Sequence, residues 1–329
     1  MRAPEFWGRE GKGILPLLLS PLASLYAAAT ARRVARHGWR APVPVICCGN
    51  ATAGGSGKTT VALDLGRRLA NRGVAVHFLL RGYGGLVKGP VRVDPAQHDS
   101  RLVGDEALLL AAERPTWVAA DRGAGARAAV EAGAQVIVMD DGLQNPTLEK
   151  DLSLLVVDGS FGFGNGYVIP AGPLREPVAA AAARCQAAIL IGADESGALA
   201  QLPPRLPVLR ARLRPGPEAE TLAGQQVYAF CGIANPRRFF ATLQEAGAII
   251  AGRLAFADHY PFDAGDMRDV LAEAEALRAI PVTTSKDFVR IPPAFRARVT
   301  VLTVRLEWEE PAQIEQLLEP HAARAPVPA

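Results

Sequence analysis

The feature that most constrains the fold is a glycine-rich turn between an apolar run and a helical stretch. The run "VPVICC" leads into "GNATAGGSGKTT", Gly49 to Thr60, and a helical pattern starting at Lys58 continues to Gly73. Small residues let the backbone curl, so that its N–H groups and the start of the helix face an anion. We therefore predict a strand, a phosphate-binding loop and a helix, in that order.

The loop departs from the usual template G-x-x-x-x-G-K-[ST]. Thr52 stands where the template has its first glycine, and Gly54 and Gly55 supply the flexibility instead. We expect Lys58 to bridge the β- and γ-phosphates of ATP and to be catalytic, and Thr59 to offer its hydroxyl to Mg²⁺. The alternative is a glycine-rich turn with an incidental lysine. The expected nucleotide-binding residues of the loop are Thr52, Ala53, Gly54, Gly55, Ser56, Gly57, Lys58, Thr59 and Thr60.

Short apolar runs alternate with helical stretches over the rest of the first two thirds of the chain. Because these runs lack period-two alternation, they predict an α/β fold with a mainly parallel sheet covered by helices on both faces. Ligands of such sheets collect at the carboxyl ends of the strands. Besides the run before the loop, the predicted strands are "VAVHFLLRG", "TWVAA", "QVIVMDDG", "LSLLVVDG" and "AAILIG".

A change in composition around residues 200–225 predicts a domain boundary. Proline, glycine and arginine dominate there, which indicates a linker with one possible strand, "PVLRARL". Further strand and helix patterns follow and predict a smaller C-terminal α/β domain. We therefore divide the chain into an N-terminal helical segment (1–40), a phosphate-loop core (41–205), and a linker with the smaller domain (206–329). The tail "HAARAPVPA" is expected to be frayed.

An apolar run, Ile14 to Ala31, lies between basic flanks near the N-terminus. Residues 1–41 hold seven basic and two acidic side chains, although the whole chain carries a net charge of only +3. This pattern favours a helix on an anionic membrane surface. A signal peptide, a span interrupted by Pro16 and Pro21, and a core helix of a soluble protein are the alternatives. The basic side chains are Arg2, Arg9, Lys12, Arg32, Arg33, Arg36 and Arg40, against Glu5 and Glu10.

The small positive charge does not favour a nucleic-acid partner, and no protein partner is implied. The four cysteines form no C-x-x-C pattern. We interpret them as buried free thiols in a reducing compartment.

Four further segments carry side chains suited to phosphoryl transfer. Asp140 and Asp141 end an apolar strand, where a carboxylate meets Mg²⁺ directly or through water, although a pair of turn aspartates is the alternative. Asp105 opens the helical pattern "DEALLLAAE", as an N-cap or as the acceptor of a hydroxyl proton. His259 in "FADHYPF" is an ordinary histidine or tunes a catalytic carboxylate. The segment Gly162 to Pro177 is typical of an ordered loop, in which Arg175 and Glu176 contact nucleotide or substrate.

Taken together, these segments resemble the tetraacyldisaccharide 4′-kinases, the lipid A 4′-kinases of Gram-negative bacteria. The combination of "DDGLQ" with "GFGNGYVIPAGPLREP" is specific to that family, whereas the glycine loop alone is not. The resemblance covers most of the chain in order. It runs through "GNATAGGSGKTT", "RGYGG", "VGDEALLLA", "DDGLQN", "VVDGSFGFGNGYVIPAGPLREP", "AFCGIANPRRFF", "FADHYPF" and "TTSKD".

The resemblance implies a membrane-associated P-loop kinase that uses ATP and Mg²⁺. Its lipid substrate is tetraacyldisaccharide 1-phosphate, phosphorylated on the 4′-hydroxyl at the cytoplasmic face of the bacterial inner membrane. It also implies a catalytic pair, Asp105 and His259, in which we expect Asp105 to take the hydroxyl proton. Further implied residues are Lys58 and Thr59 in the loop, Asp140 and Asp141 beside the metal, and Glu176 near the nucleotide.

Two positions depart from the family pattern. Asn145 follows Gln144 where the family usually has histidine, so a positioning role survives there but an acid–base role does not. Ser285 stands where glutamate is common. Two other functions remain open: a P-loop ATPase that switches protein partners, and a cytosolic kinase of a small metabolite.

Overall fold

The predicted apolar runs form one nine-stranded sheet in the computed structural model, which describes residues 4–9, 11 and 13–323. The basic residues Arg2 and Lys12, Glu10 and the last six residues of the tail lie outside the described residues. In chain order the strands are β1 Val45–Gly49, β2 Val76–Leu80, β3 Val91–Arg92, β4 Thr116–Val118, β5 Val136–Asp140, β6 Leu152–Asp158, β7 Ala187–Ile191, β8 Val208–Pro215, β9 Gln226–Cys231, β10 Ile249–Ala255, β11 Ile280–Thr284, β12 Thr300–Leu302 and β13 Val304–Trp308.

Helices follow most of these strands. They are α1 Ile14–Val34, α2 Lys58–Ala70, α3 Ser100–Val103, α4 Asp105–Ala111, α5 Arg122–Glu131, α6 Val178–Ala182, α7 Glu218–Leu222, α8 Pro236–Glu245, α9 Ala264–Ala276, α10 Ser285–Phe288, α11 Pro293–Arg296 and α12 Pro311–Ala323; short 3₁₀ turns span Glu5–Trp7 and Ala198–Gln201.

The large sheet has the order β13-β8-β7-β6-β1-β5-β2-β4-β3. Its pairs are parallel except at the two edges, where β3 and β13 run antiparallel to their neighbours. Every residue of β1 and β5 is buried, because apolar layers cover both faces of the sheet. The prediction of a mainly parallel sheet with helices on both sides is confirmed. The glycine loop after β1 and the two aspartates at the end of β5 lie side by side at the carboxyl edge, since these strands pair.

A second, four-stranded sheet has the order β10-β9-β11-β12, with all its pairs parallel. Separate apolar clusters cover its two faces. We call this sheet with α7–α11 the smaller unit, and the nine-stranded sheet with its helices the larger unit.

The predicted division at residue 205 needs one correction. It assigns β8 and β13 to the smaller domain, but their backbone hydrogen bonds place both strands in the large sheet. The possible strand "PVLRARL" inside the predicted linker is confirmed as β8, which alternates between buried and exposed positions. Its exposed Arg214 pairs with Glu307 of β13, and Arg212 pairs with Glu309 just after that strand. The other domain boundaries stay predictions.

Helix α1 holds the predicted apolar N-terminal segment and carries its apolar side chains on the outside. Ile14 is 75% exposed, and Leu18 and Leu25 are each 69% exposed. Among the described residues, α1 is the one helix long and apolar enough to cross a membrane by length and composition, and little of it is buried. A core helix of a soluble protein would bury these side chains, so that alternative does not describe α1.

Candidate active site

The glycine loop is held from one side by the segment after the 162–172 loop. The Ala53 amide donates to the Pro173 carbonyl, and the Arg175 amide donates to the Ala51 carbonyl, both at 2.7 Å. Thr52 forms a β-bridge to Leu174 between these two bonds. The irregular loop is therefore clamped by a short piece of antiparallel pairing rather than by its own glycines alone.

Thr52 also takes part in the inner structure of the loop. Its hydroxyl accepts a hydrogen bond from Asn50 Nδ2 at 3.0 Å, and the same nitrogen lies 3.4 Å from the Gly54 carbonyl. At the other end, Gly57 has φ of 84°, a left-handed conformation that favours glycine. This turn directs the chain into α2, whose first residues are Lys58 and Thr59.

Lys58 and Thr59 connect the loop to the aspartates after β5. Lys58 is only 8% exposed, and its Nζ lies 3.4 Å from the Gly54 carbonyl and 4.0 Å from Asp141 Oδ2. Thr59 Oγ1 donates to Asp140 Oδ2 at 2.7 Å. The structure thus brings together the predicted loop lysine, the predicted loop threonine and both predicted aspartates.

Asp140 is 1% exposed, and its Oδ1 atom is buried without a hydrogen-bond partner among the described residues. The pKa of Asp140 is raised to about 7, chiefly by burial and also by the nearby charge of Glu106, against the lowering effect of Lys58. A buried carboxylate oxygen without a partner is costly unless a cation meets it. The donor set of Asp140 and Thr59 therefore fits Mg²⁺, which prefers oxygen ligands.

Asp141 is arranged differently from its neighbour. Its backbone has φ of 59°, and its carboxylate accepts two hydrogen bonds from the Arg175 guanidinium, at 2.7 and 3.0 Å. Burial favours the neutral form of Asp141, but the charges of Lys58 and Arg175 outweigh it and lower the pKa. Asp141 is therefore an ionised partner of two cations, and its predicted metal role stays a prediction.

Asp105 and His259 meet across the two units, although 154 residues separate them in sequence. His259 Nδ1 lies 2.9 Å from Asp105 Oδ2. The Asp105 side chain is 5% exposed and that of His259 is 44% exposed. The hydrogen bond to Asp105 raises the pKa of His259 despite partial burial. Burial alone would raise the pKa of Asp105, but His259 and other nearby cations lower it.

A buried network fixes the loop that carries His259. The Asp287 carboxylate accepts from the Gly232 amide at 2.7 Å and from Arg290 Nη2 at 2.8 Å. Arg290 in turn donates to the carbonyls of Gly232 and Tyr260, each at 3.0 Å, and the His259 amide donates to the Gly232 carbonyl. Sequence reasoning missed Arg290 and Asp287, although "TTSKD" contains the aspartate.

Glu176 and Asn145 have positioning contacts in this structure. Glu176 is 3% exposed, and its Oε1 accepts from Arg184 and from Gln144 Nε2 at 2.6 and 2.8 Å. Gln144 Nε2 also donates to the Asn50 carbonyl at 2.9 Å, which links Glu176 to the start of the loop. Asn145 Oδ1 accepts from the Thr147 amide and hydroxyl, each at 3.0 Å. The nucleotide contact of Glu176 stays a prediction.

Comparisons with known proteins cover nearly the whole chain. The sequence model of the family described as tetraacyldisaccharide-1-P 4′-kinase matches residues 15–322. A tetraacyldisaccharide 4′-kinase of Gluconacetobacter diazotrophicus is 56% identical over 319 residues, covering 97% of this chain and 98% of the relative. A protein of the same name from Rhodospirillum centenum is 54% identical, covering 97% and 96%.

Among solved structures, the chain is similar to LpxK from Aquifex aeolicus in complex with ATP. The TM-score is 0.75 at 25% identity, and the match covers 93% of this chain and 99% of the other. Family match, near-complete relatives and shared fold lead to one conclusion: the chain belongs to the tetraacyldisaccharide-1-P 4′-kinase family.

Proposed function

We propose that this protein transfers the γ-phosphoryl group of ATP to the 4′-hydroxyl of tetraacyldisaccharide 1-phosphate, in lipid A biosynthesis. Membership of the family supports this reaction. The observation that carries it furthest is the pair of Asp105 and His259, formed between the units. Glu106, the neighbour of Asp105, is close enough for its charge to raise the pKa of Asp140, which accepts from Thr59. Phosphoryl transfer to an alcohol needs a proton acceptor close to the phosphate site, and this pair supplies one.

His259 is the better candidate for the base, and Asp105 for its partner. The sequence favoured Asp105, but that carboxylate is 5% exposed and its Oδ2 is already bonded to His259. Because Nδ1 of His259 faces Asp105, Nε2 remains the ring nitrogen for a substrate hydroxyl. A buried carboxylate behind an accessible imidazole holds its tautomer and stabilises the imidazolium formed on proton transfer. The raised pKa of His259 strengthens it as a proton acceptor near neutral pH.

The phosphate side of the reaction relies on fixed positive groups. Lys58 and the loop amides neutralise charge that develops on the transferred group, and Arg175 keeps Asp141 and the loop clamp in place. Asp140 and Thr59 would hold Mg²⁺. The ion would supply charge neutralisation at the phosphate oxygens.

We also propose that α1 lies along the cytoplasmic face of the bacterial inner membrane without crossing it. Before α1, Trp7 Nε1 donates to the Pro170 carbonyl and Asn165 Nδ2 donates to the Phe6 carbonyl. After α1, the Trp39 amide donates to the Thr147 carbonyl. Because the segments before and after α1 are both hydrogen-bonded to the larger unit, the two ends of the helix lie on the same side of a bilayer. The exposed apolar side chains then enter the interface, as in a monotopic protein.

This placement brings the membrane close to the candidate site. The segment before α1 is hydrogen-bonded to Pro170, and Pro173 of the same loop accepts from the Ala53 amide of the glycine loop. A tetraacylated substrate whose chains stay in the bilayer can then present its sugar to the gap between the units. A cytosolic kinase of a water-soluble metabolite would not need the exposed apolar side chains of α1. An ATPase that switches protein partners would not need an Asp–His pair whose histidine comes from a second unit, since no acceptor hydroxyl has to be deprotonated.

The test is a transfer assay with γ-labelled ATP, Mg²⁺ and purified tetraacyldisaccharide 1-phosphate in detergent micelles. We expect the label in the lipid, and a loss of about 10²- to 10⁴-fold in kcat for His259→Ala with ATP binding retained. Label released as phosphate at an equal rate with and without lipid would favour the ATPase. Labelling of water-soluble sugars in preference to the lipid would favour the metabolite kinase.

A further inference from the structure

The pair of Lys286 and Glu106 is a second ionic contact between the units, next to the first. Lys286 Nζ lies 3.3 Å from Glu106 Oε1, with side chains 38% and 28% exposed. Lys286 belongs to α10 of the smaller unit, and Glu106 follows Asp105 in α4 of the larger unit. Consecutive residues of one helix therefore each receive a cationic or protonatable group from the smaller unit.

Lys286 is held in place by the same buried network that fixes His259. Its carbonyl accepts from Arg290 Nε at 3.1 Å, and Arg290 Nε lies 3.8 Å from Asp105 Oδ2. The next residue, Asp287, is fully buried in that network. The buried network of Asp287 and Arg290 thus holds both the ammonium of Lys286 and the imidazole of His259 close to the start of α4.

The surroundings of Lys286 explain why a cation belongs there. Burial alone would lower its pKa, but the charges of Glu106, Asp105 and Asp140 raise it. Glu106 is also the strongest charge that acts on Asp140. Three carboxylates this close together repel one another. Lys58 compensates this charge from the loop, and Lys286 compensates it from the opposite unit.

We propose that Lys286 is a positioning residue for phosphoryl transfer. Its ammonium fixes Glu106, and through α4 it fixes the neighbouring Asp105 opposite His259, while it offsets the negative charge of the carboxylates. The contact exists only when the two units are together, so Lys286 links their approach to completion of the Asp105–His259 pair. The inference rests on the proposed roles of that pair.

The test compares Lys286→Met with a matched variant, Arg238→Met. Arg238 also joins the units, through a 3.3 Å contact with Asp158, and its side chain is 39% exposed. We expect Lys286→Met to lower kcat by about 10- to 100-fold, since small misplacements of catalytic groups have effects of this size. The KM for ATP should stay within about threefold of the wild-type value, because the Lys286 ammonium pairs with Glu106, and Lys58 still serves the phosphate site from the loop. Lys286→Arg should restore most of kcat, and Arg238→Met should keep it within about threefold.

The double variant of Lys286 and Glu106 tests whether the two side chains act together on kcat. A merely structural role of Lys286 would not make the two losses of kcat depend on each other. If the two side chains act as one unit, Glu106→Gln added to Lys286→Met should lower kcat no further than the worse single variant. Thermal unfolding and ATP binding of each variant report whether the protein is folded. Equal losses of kcat in Lys286→Met and Arg238→Met, or full additivity with Glu106→Gln, would overturn the proposal.

His259→Ala separates this inference from the function on which it rests. Loss of kcat in His259→Ala together with wild-type kcat in Lys286→Met defeats the inference about Lys286 alone. Wild-type kcat in His259→Ala defeats the proposed roles of the pair, whatever Lys286→Met does.

Discussion

Replacing Asp105 by Asn is the sharpest test of the proposed division of labour between Asp105 and His259. Asn has nearly the size and shape of Asp, so the packing around this 5% exposed side chain is kept. The substitution removes the negative charge of the carboxylate whose Oδ2 lies 2.9 Å from His259 Nδ1. An amide can also turn its NH₂ group toward the ring, which would favour the wrong tautomer of the imidazole.

The expected loss follows from the kind of hydrogen bond that is removed. A hydrogen bond to a charged group contributes about 1.5–3 kcal/mol, which corresponds to a loss of roughly 10- to 150-fold in kcat if it acts only in the transition state. A trapped wrong tautomer would increase the loss toward about 10⁴-fold. His259→Ala should be at least as impaired, and the double variant no worse than the worse single one, because the pair acts as a unit.

The pH dependence of kcat gives the independent measurement. A base must be neutral, so activity rises with pH through the pKa of His259, and the hydrogen bond to Asp105 places that pKa above 6.5. Without the negative charge, the imidazolium is less stable, and the acidic limb of the Asp105→Asn profile should move to lower pH. The assay is label transfer to the lipid at saturating ATP over about pH 5 to 9.

Two outcomes would refute the reasoning. An Asp105→Asn enzyme within about threefold of wild-type kcat would mean that the carboxylate does not assist the base. The acidic limb of the kcat profile could also stay at the same pH in Asp105→Asn but disappear in His259→Ala. This outcome would show that His259 titrates independently of Asp105. A matched Asp258→Asn variant controls for the other carboxylate near the ring, at 3.9 Å from Nε2, and should move the limb less.

Three further predictions concern other parts of the molecule. Asp140→Asn should lower kcat/KM for ATP·Mg²⁺, yet raise the Tm of the metal-free protein above pH 7. The folded pKa of Asp140 is about 7 against 3.8 unfolded, so its ionisation destabilises the fold as pH rises through that window. Arg175→Met should raise the KM for ATP by about tenfold, because Asp141 loses its bidentate partner and the loop clamp loosens; unchanged ATP binding by calorimetry would contradict this. Leu18→Glu with Leu22→Glu should abolish sedimentation with anionic vesicles but keep a wild-type Tm, since both side chains are exposed.

The strands and the loop could be predicted because their signals are local. Apolar runs without alternation specify buried parallel strands, and a glycine loop between strand and helix specifies its own conformation. The composition around β8 predicts a linker with one possible strand, because Pro and Arg dominate it. The strand is present and alternates exposed arginines with Leu209 and Ala211, but it belongs to the large sheet and not to the smaller domain. Its partner β13 lies about ninety residues later, and no local pattern joins the two.

The pairings within the candidate site could not be predicted in this way. Asp105 opens a helix, where a cap role is the ordinary interpretation, and only the approach of the smaller unit gives it a histidine. That assignment came from resemblance to a family and not from the residues themselves. Arg290 has no motif of its own; its importance follows from its burial and its four acceptors.

The adjacent aspartates after β5 show most clearly what the fold adds to the sequence. "DD" offers two equal carboxylates, and the sequence leaves open which of them holds the metal. Asp140 ends the strand inside the sheet, where burial makes its charge costly and one oxygen lacks a partner. Asp141 turns outward through a left-handed backbone and meets Lys58 and Arg175, which keep it ionised. Their environments push the two pKa values apart, so one residue is suited to receive a cation and the other to orient cationic side chains.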